Sequence, residues 1–309
     1  MCKCRFKWTG IFHWLPPLGV IVSSKPVIRV GGVPEHFNLP WHRAIQRHEF
    51  DDLDVDVQFH EYPGGTGAMT SALADDELDV ALLLCEGAVT NILRGHNHRL
   101  IKIYVGSPLI WGIHVAAASA ITEVEEIQDK VFAISRAGSG SHLIAIVDAA
   151  ERGWSTTDMK FSKVGNLDGA REKLAAGKVD VFLWERFTTQ PLVDSGEFRR
   201  VGQREVPWPA FAASANLSVL EKYGAQLRQI FEIVDASCMR FKSNPDAIDI
   251  VSKTFNIKPD DTAAWFEHVR WHEGFDRPDE TLQKLIGYLQ KLDLVDEFSG
   301  SLNDVWREI

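Results

Sequence analysis

At 309 residues, with 33 Lys and Arg against 43 Asp and Glu, the chain carries a formal charge of −10. The length fits about two domains, and 45% hydrophobic content is ordinary for a globular protein. The acidic balance, with no run of Lys and Arg, excludes the basic face that nucleic-acid binding requires.

The first 25 residues are expected to form an N-terminal extension. Cys2–Lys7 is basic and Ile11–Val22 is mostly apolar, as in a secretory signal. Pro16-Pro17 and His13 interrupt that run, and no small-x-small cleavage site precedes Ser23-Ser24. The expected location is therefore cytoplasmic, with export as the alternative if these residues act as a signal. Cys2-x-Cys4 is at most half of a metal pair, and with Cys85 and Cys238 it makes no disulfide framework. No metal and no cofactor are expected. No stretch reaches the about 20 apolar residues of a membrane span.

From Lys25 onward, strands and helices alternate. Strands are expected over Val27–Val33, Val55–Tyr62, Asp79–Leu84 and Leu100–Val105. Between them lie helices within His36–Phe50, over Thr66–Glu77 and over Gly87–Arg94. This is the pattern of a parallel sheet with helices on both faces. Trp111–Ala118 is a strand with no long helix before it, and it is expected to cross into a second lobe. The pattern repeats there: strands Val131–Ser135, Lys160–Val164, Val179–Trp184 and Phe198–Val201, with helices Ser141–Arg152, Asp168–Ala176 and Thr188–Ser195. After Trp208-Pro209 the character changes. From Leu217 onward the spacing is helical (Leu220, Tyr223, Leu227, Ile230, Phe231, Val234), and Asn244-Pro245 and Pro259-Asp260 mark further helix starts. The expected organisation is a first lobe of 26–110 and 210–309 with a second lobe, 111–209, inserted into it. Two crossings, near Pro108–His114 and Val206–Pro209, would make a hinge.

Two turns stand out. In Val131–Ala145 a buried strand breaks at Gly138-Ser139-Gly140-Ser141 and opens directly into a helix. Earlier, Pro63-Gly64-Gly65-Thr66-Gly67 does the same. A helix that starts this way aims unpaired N–H groups and the positive end of its dipole at one point, which suits an anionic or strongly polar ligand. Neither turn is a dinucleotide fingerprint, since Leu143 and Thr70 stand where the third glycine belongs. Phosphate-loop, G-x-S-x-G and H-E-x-x-H patterns are absent, so no catalytic residues are assigned. The candidates are loops at the carboxyl ends of strands, where open α/β sheets bind ligands. They comprise Glu35, His36, Phe37 and Asn38; Gly65, Thr66 and Gly67; Glu86; Trp111; Ser139, Gly140, Ser141 and His142; and Trp184 with Glu185. Each also has a structural reading: a tight turn, a helix-start acid, a core histidine or a core tryptophan. Ser139 and Ser141 are expected to line an open cleft, so replacing both with Ala would weaken binding by roughly 1–3 kcal/mol at little cost in stability.

The stretches VGGVPEHFNLP (Val30–Pro40), PGGTGAMTSALADDELDVALLLCEGAV (Pro63–Val89), SPLIWGIHVAA (Ser107–Ala117), ISRAGSGSHLIA (Ile134–Ala145) and NLDGAREKLAAGKVDVFLWERFTT (Asn166–Thr189) resemble type II periplasmic-binding-protein-like proteins. The resemblance is to the branch holding alkanesulfonate-, nitrate- and taurine-binding proteins and thiamine-pyrimidine-precursor proteins. SPLIWGIHVAA, SRAGSGSHL and FLWERFTT resemble a narrower group of fungal and bacterial members. The resemblance implies a two-lobed α/β clamshell, each lobe a mostly parallel sheet flanked by helices, with a helical C-terminal region. It implies a small-molecule ligand bound by hinge closure. An anion would be held by Gly65, Thr66 and Gly67 in one lobe and Ser139, Gly140 and Ser141 in the other, and a heterocycle would lie against Phe37, Trp111 and Trp184. A transporter or a regulatory protein is the macromolecular partner it allows. The alternative is an enzyme similar to hydroxymethylpyrimidine phosphate synthase, with Glu35, His36, His142 and Glu185 as acid–base groups. The chain departs from that enzyme in lacking its cysteine-rich motif, having only Cys85 near the expected cleft.

Overall fold

The computed structural model describes residues 25–309, so the readings on the N-terminal extension, including Cys2 and Cys4, lie outside the described residues. The chain builds two five-stranded sheets. In chain order the first lobe contributes β1 (Val27–Gly32), α1 (Leu39–Gln46), β2 (Asp56–Glu61), α2 (Thr66–Ala74), β3 (Val80–Leu84), α3 (Cys85–Leu93) and β4 (His98–Val105). The second lobe contributes β5 (Ile110–Ala116), β6 (Val131–Ile134), α4 (Gly140–Glu151), β7 (Lys160–Lys163), α5 (Leu167–Ala175), β8 (Val181–Glu185), α6 (Gln190–Asp194) and β9 (Phe198–Glu205). The chain then returns to the first sheet as β10 (Phe211–Asn216) and ends in α7 (Leu217–Lys242), α8 (Ala247–Phe255), α9 (Pro259–His268) and α10 (Asp279–Lys291).

The strand orders are β2-β1-β3-β10-β4 and β7-β6-β8-β5-β9. β1 pairs in parallel with β2 and β3, whereas β10 runs antiparallel to both β3 and β4. β6 pairs in parallel with β7 and β8, whereas β5 runs antiparallel to β8 and β9. Each sheet therefore has four strands in one direction and one reversed, and the reversed strand is in each case the first one formed after the chain has crossed between sheets. The central strands β3 (VALLL) and β10 (FAASAN) are buried along their whole length, as strands covered on both faces must be.

β10 is absent from the sequence reading. Its residues are small and largely unbranched, so local propensity for a strand is weak. Position in the middle of a sheet overrides that propensity: Ala212, Ala213 and Ala215 are fully buried between β3 and β4.

The two crossings lie at 106–109 and 206–210. They run side by side, with Ala210 N donating to Ser107 O at 3.1 Å. The long helix α7, whose helical backbone is interrupted at Tyr223, lies on α1. Ser237 Oγ donates to Pro40 O at 2.8 Å there, and Phe231 meets the fully buried Trp41 edge-on. The buried Lys102 ammonium is held by Asp235 and by the carbonyls of His272 and Gly274, so its charge is compensated where water is excluded. At the far end of the chain Trp306 bridges to Leu100 on the edge strand β4. Of the C-terminal helices, α7 thus packs on α1 and α10 on α3, both beside the first sheet. Among the described residues no helix is long and apolar enough to cross a membrane.

Candidate functional site

A narrow cleft with about 40 Å³ of enclosed space lies between the two sheets. Its first-lobe wall is Val33, Glu35, Gly64, Gly65, Thr66, Leu84 and Phe211, its second-lobe wall is Trp111, Ser135, Ser139, Gly140, Ser141, Trp184 and Glu185, and Leu109 comes from a crossing. Val33 and Glu35 follow β1, Gly64 follows β2, Leu84 ends β3, Ser135 follows β6, and Glu185 ends β8. Trp111 and Phe211 lie at the starts of the two reversed strands, which brings them to the same sheet edges. The cleft thus sits at the carboxyl ends of the forward strands of both sheets, where ligands bind in open α/β folds.

Both glycine turns reach this cleft. Gly65 caps α2 with φ of 65°, a left-handed conformation that glycine adopts without the Cβ penalty. Thr66 then turns its hydroxyl inward, where Oγ1 accepts from Leu84 N at 3.0 Å and ties α2 to β3. Gly140 opens α4 against the opposite lobe: a Cβ there would stand 2.3 Å from Leu84 Cδ1 and 2.8 Å from Trp111 Cη2. The amides of Thr66 and Gly67 in α2 and of Gly140 and Ser141 in α4 have no backbone acceptor, whereas Ala68 N and His142 N donate to Gly65 O and Ser139 O, and the two helix starts carry the positive ends of two dipoles. Beside them the Trp111 Nε1–H is buried with no hydrogen-bond partner among the described residues.

The serines of the second turn do not behave as the sequence reading expects. Ser139 and Ser141 are 4% and 2% exposed. Ser139 Oγ donates to Arg136 O at 2.8 Å, and Ser141 Oγ accepts from Ser135 N at 3.0 Å. The two hydroxyl oxygens are 3.1 Å apart. Since the Ser139 proton goes to Arg136 O, Ser141 Oγ is the donor of this pair and Ser139 Oγ the acceptor. These residues shape the turn as well as line the cleft, so replacing them is not neutral to folding.

The cleft also holds two carboxyl groups. Trp184 Nε1 donates across the gap between the lobes to Glu35 Oε1 at 3.2 Å. Burial, and then the nearby Glu185, push the Glu35 carboxyl up to about 8. Burial likewise raises Glu185 to about 7, against the pull of the Thr188 and Phe187 amides and of Arg200. Glu185 Oε2 accepts from Thr188 N at 2.6 Å and from Thr188 Oγ1 at 2.9 Å.

Of the other sequence-derived candidates, none of the following lines this cleft. His36 is fully buried, stacked on Phe37 and edge-on to Trp265, with both ring nitrogens unpartnered. It stands 3.7 Å from Glu185 Oε2, beyond hydrogen-bond length, and burial pushes it down to about 3, so it is neutral. Phe37 packs between Phe211 and Trp265, and Phe211 occupies the cleft wall in its place. Asn38 donates through Nδ2 to Val33 O at 2.7 Å and so braces the first loop. Glu86 accepts from Trp208 Nε1 at 2.9 Å, tying the start of α3 to the second crossing. Gly67 faces a separate groove of about 780 Å³ that it shares with Arg94 and Arg136. His142 Nδ1 accepts from Gly138 N at 3.1 Å, and its ring lies edge-on to Phe161. The four acid–base groups of the enzymatic alternative are therefore not gathered at one point, since His142 is turned away. Cys85 is buried at the start of α3 and its thiol is pushed well up by burial, which is opposite to an activated thiolate. No group of three or more His, Cys, Asp or Glu suited to hold a metal occurs among the described residues.

The apolar wall residues Val33, Leu84, Leu109 and Phe211 are missing from the sequence-derived set. Their only signal is position at a strand end, which Leu84 shows and Phe211 does not, because β10 was not legible.

The profile of the family described as Ca3427-like PBP matches residues 111–204, which is most of the second lobe. A search of the curated proteins finds no match. Among solved structures, the Candida albicans CA3427 gene product, described as defining a family with the generic periplasmic binding protein fold, superposes with a TM-score of 0.83 at 23% identity, covering 91% of this chain and 96% of that one. The alkanesulfonate-binding protein SsuA from Xanthomonas axonopodis pv. citri, bound to MOPS, gives 0.76 at 16% identity over 93% of this chain and 100% of its own. PhnD1 from Prochlorococcus marinus, in complex with methylphosphonate, gives 0.59 at 12% over 87% and 99%. At these identities the likeness is one of fold. The chain has the two-lobed fold of periplasmic binding proteins, and its second lobe matches the sequence pattern of the Ca3427-like family.

Proposed function

We propose that this protein binds a small anionic or heterocyclic metabolite, of the sulfonate or thiamine-pyrimidine-precursor kind, by closing its two lobes over the cleft and without altering the ligand chemically. The observation that carries this reading is the convergence of two helix starts, α2 from one lobe and α4 from the other, on a single cleft beside the unpartnered Trp111 Nε1–H. Buried N–H groups left without partners cost free energy, and an anion restores them through charge-assisted hydrogen bonds. Two structural relatives, one named for alkanesulfonate binding and one holding methylphosphonate, bind anions on the same fold. The flat Trp111 and Trp184 rings suit a small planar or aliphatic body between the poles. The closed form would be the state that a transporter or regulatory partner reads.

The test is a thermal-denaturation panel with ethanesulfonate, methylphosphonate, inorganic phosphate and the aminopyrimidine precursor of thiamine. A true ligand stabilises the fold by mass action, by about 2.7 kcal/mol at a hundredfold excess over Kd, and the midpoint rises accordingly. The Trp111→Phe variant is expected to lose most of that gain while remaining folded. Absence of any shift at millimolar concentration, with the protein cooperatively folded, would remove this reading.

A further inference from the structure

The cleft is not uniformly suited to an anion. Its donors, the first-turn amides of α2 and α4 and the Trp111 Nε1–H, are joined in the same enclosure by two carboxyl groups, Glu35 and Glu185. Glu185 is already served: Thr188 donates to it twice, and the Arg200 guanidinium on β9 acts on it favourably. His36 approaches it from the turn before α1 but is neutral. Glu35 has no such support. It is 8% exposed, only Trp184 Nε1 donates to it, and its second oxygen accepts from no protein group among the described residues. No basic side chain among the described residues acts on it, and its neighbour Glu185 repels its charge. That second oxygen is open to the cleft rather than sealed in the core, and closing the lobes over a ligand removes the water that would otherwise serve it.

We propose that the cleft is bipolar, and that it selects a small molecule carrying an anionic group at one end and a protonated or N–H-bearing nitrogen at the other. The anionic end meets the helix starts and Trp111, and the nitrogen donates to Glu35. This deepens the reading of the cleft as an anion-binding site and rests on it. The nitrogen supplies the missing donor to Glu35 and offsets the like charge of Glu185. A ligand lacking it leaves the carboxyl buried and unpaired, which is how a polar site rejects an analogue that lacks one hydrogen-bonding group. The cleft encloses only about 40 Å³ in this structure, which limits the choice to small metabolites such as aminoalkylsulfonates, aminoalkylphosphonates or acidic aminopyrimidines, admitted as the lobes part.

Paired probes test this on the whole chain: taurine against ethanesulfonate, and aminoethylphosphonate against ethylphosphonate, titrated calorimetrically into the wild type and Glu35→Gln. The expected result is that the nitrogen-bearing member of at least one pair binds about tenfold tighter or more. Glu35→Gln should close that gap while leaving the affinity for the nitrogen-free member within about threefold. Gln keeps an acceptor for Trp184, and should the variant fail to fold, the wild-type comparison between paired probes decides alone. Equal binding of both members overturns the bipolar reading and leaves the anion site standing. A gap that persists in folded Glu35→Gln also overturns the assignment to Glu35. No binding of any probe removes the anion site and this inference with it.

Discussion

Single residues here do two jobs that a sequence does not separate. Glu86 is the plainest case: it reads as a cleft acid, yet its carboxyl is buried under Trp208, with one oxygen unpartnered. Burial pushes it up to about 7 from the usual 4.5. A carboxyl raised on folding contributes stability that is complete below its unfolded value and lost as pH rises through its folded value. The wild type is therefore expected to lose about 3 kcal/mol from this group between pH 4.5 and 7. Glu86→Gln should flatten that part of the denaturation profile, and an unchanged slope would refute the assignment. The histidines act with the opposite sign. His98 and His114, both pushed down to about 3 by burial, contribute stability present above 6.5 and lost as pH falls below it. Ser141 is a second such case. Its hydroxyl holds Ser135 N, so Ser141→Ala should cost about 1 kcal/mol of stability in addition to any effect on binding, as chemical denaturation would show.

Elements explain why the cleft has the form it does. α2 and α4 begin where β2 and β6 have just ended, so both helix starts fall at a carboxyl edge by connectivity alone. Their closeness across the gap depends on glycine at one position. Gly140 leaves no room for a Cβ against Leu84, a residue of the opposite lobe. Gly140→Ala should therefore prop the lobes apart and weaken ligand binding far more than it affects folding, since alanine is a better helix former. Small-angle scattering would read this as a larger radius of gyration, and an unchanged radius with unchanged affinity would count against the close approach.

At the scale of the whole molecule, the lobes are held near each other by contacts between residues that do not line the cleft. Tyr288 on α10 donates to Glu151 on α4 at 2.6 Å, and Lys258 before α9 meets Asp194 on α6 at 3.0 Å. Both cross from the first lobe to the second, and the Tyr288 ring also lies edge-on to Trp208 in the second crossing. The Lys258 pair is exposed on the lysine side and contributes little. The Tyr288 bond is charge-assisted, so Tyr288→Phe should shift the population toward an open form by a factor of about five to ten. Ligand should then bind the variant more weakly, with the deficit appearing in the closed fraction reported by scattering or by the fluorescence of Trp111 and Trp184.

The alternation of strands and helices, the two glycine turns and the change to helical spacing after Trp208 are legible in the linear chain because they are local: they depend on periodicity and on residues that permit particular backbone angles. So were Glu35, Trp111, Trp184 and Glu185 as residues at strand ends. Tertiary structure alone decided which of these face the cleft. His36, Phe37 and Glu86 sit one or two positions from cleft residues and are turned into the core, because side-chain direction at a loop depends on what packs behind it, here Trp265, Phe211 and Trp208. β10 was invisible for the same reason. Phe211 and the five smaller residues after it become a strand only because β3 and β4 offer their edges on either side, and that pairing joins positions more than a hundred residues apart. Long-range partners carry no local signal, so the wall that Phe211 supplies, and the pairing of two acids with two helix starts in one enclosure, exist only once the chain is folded.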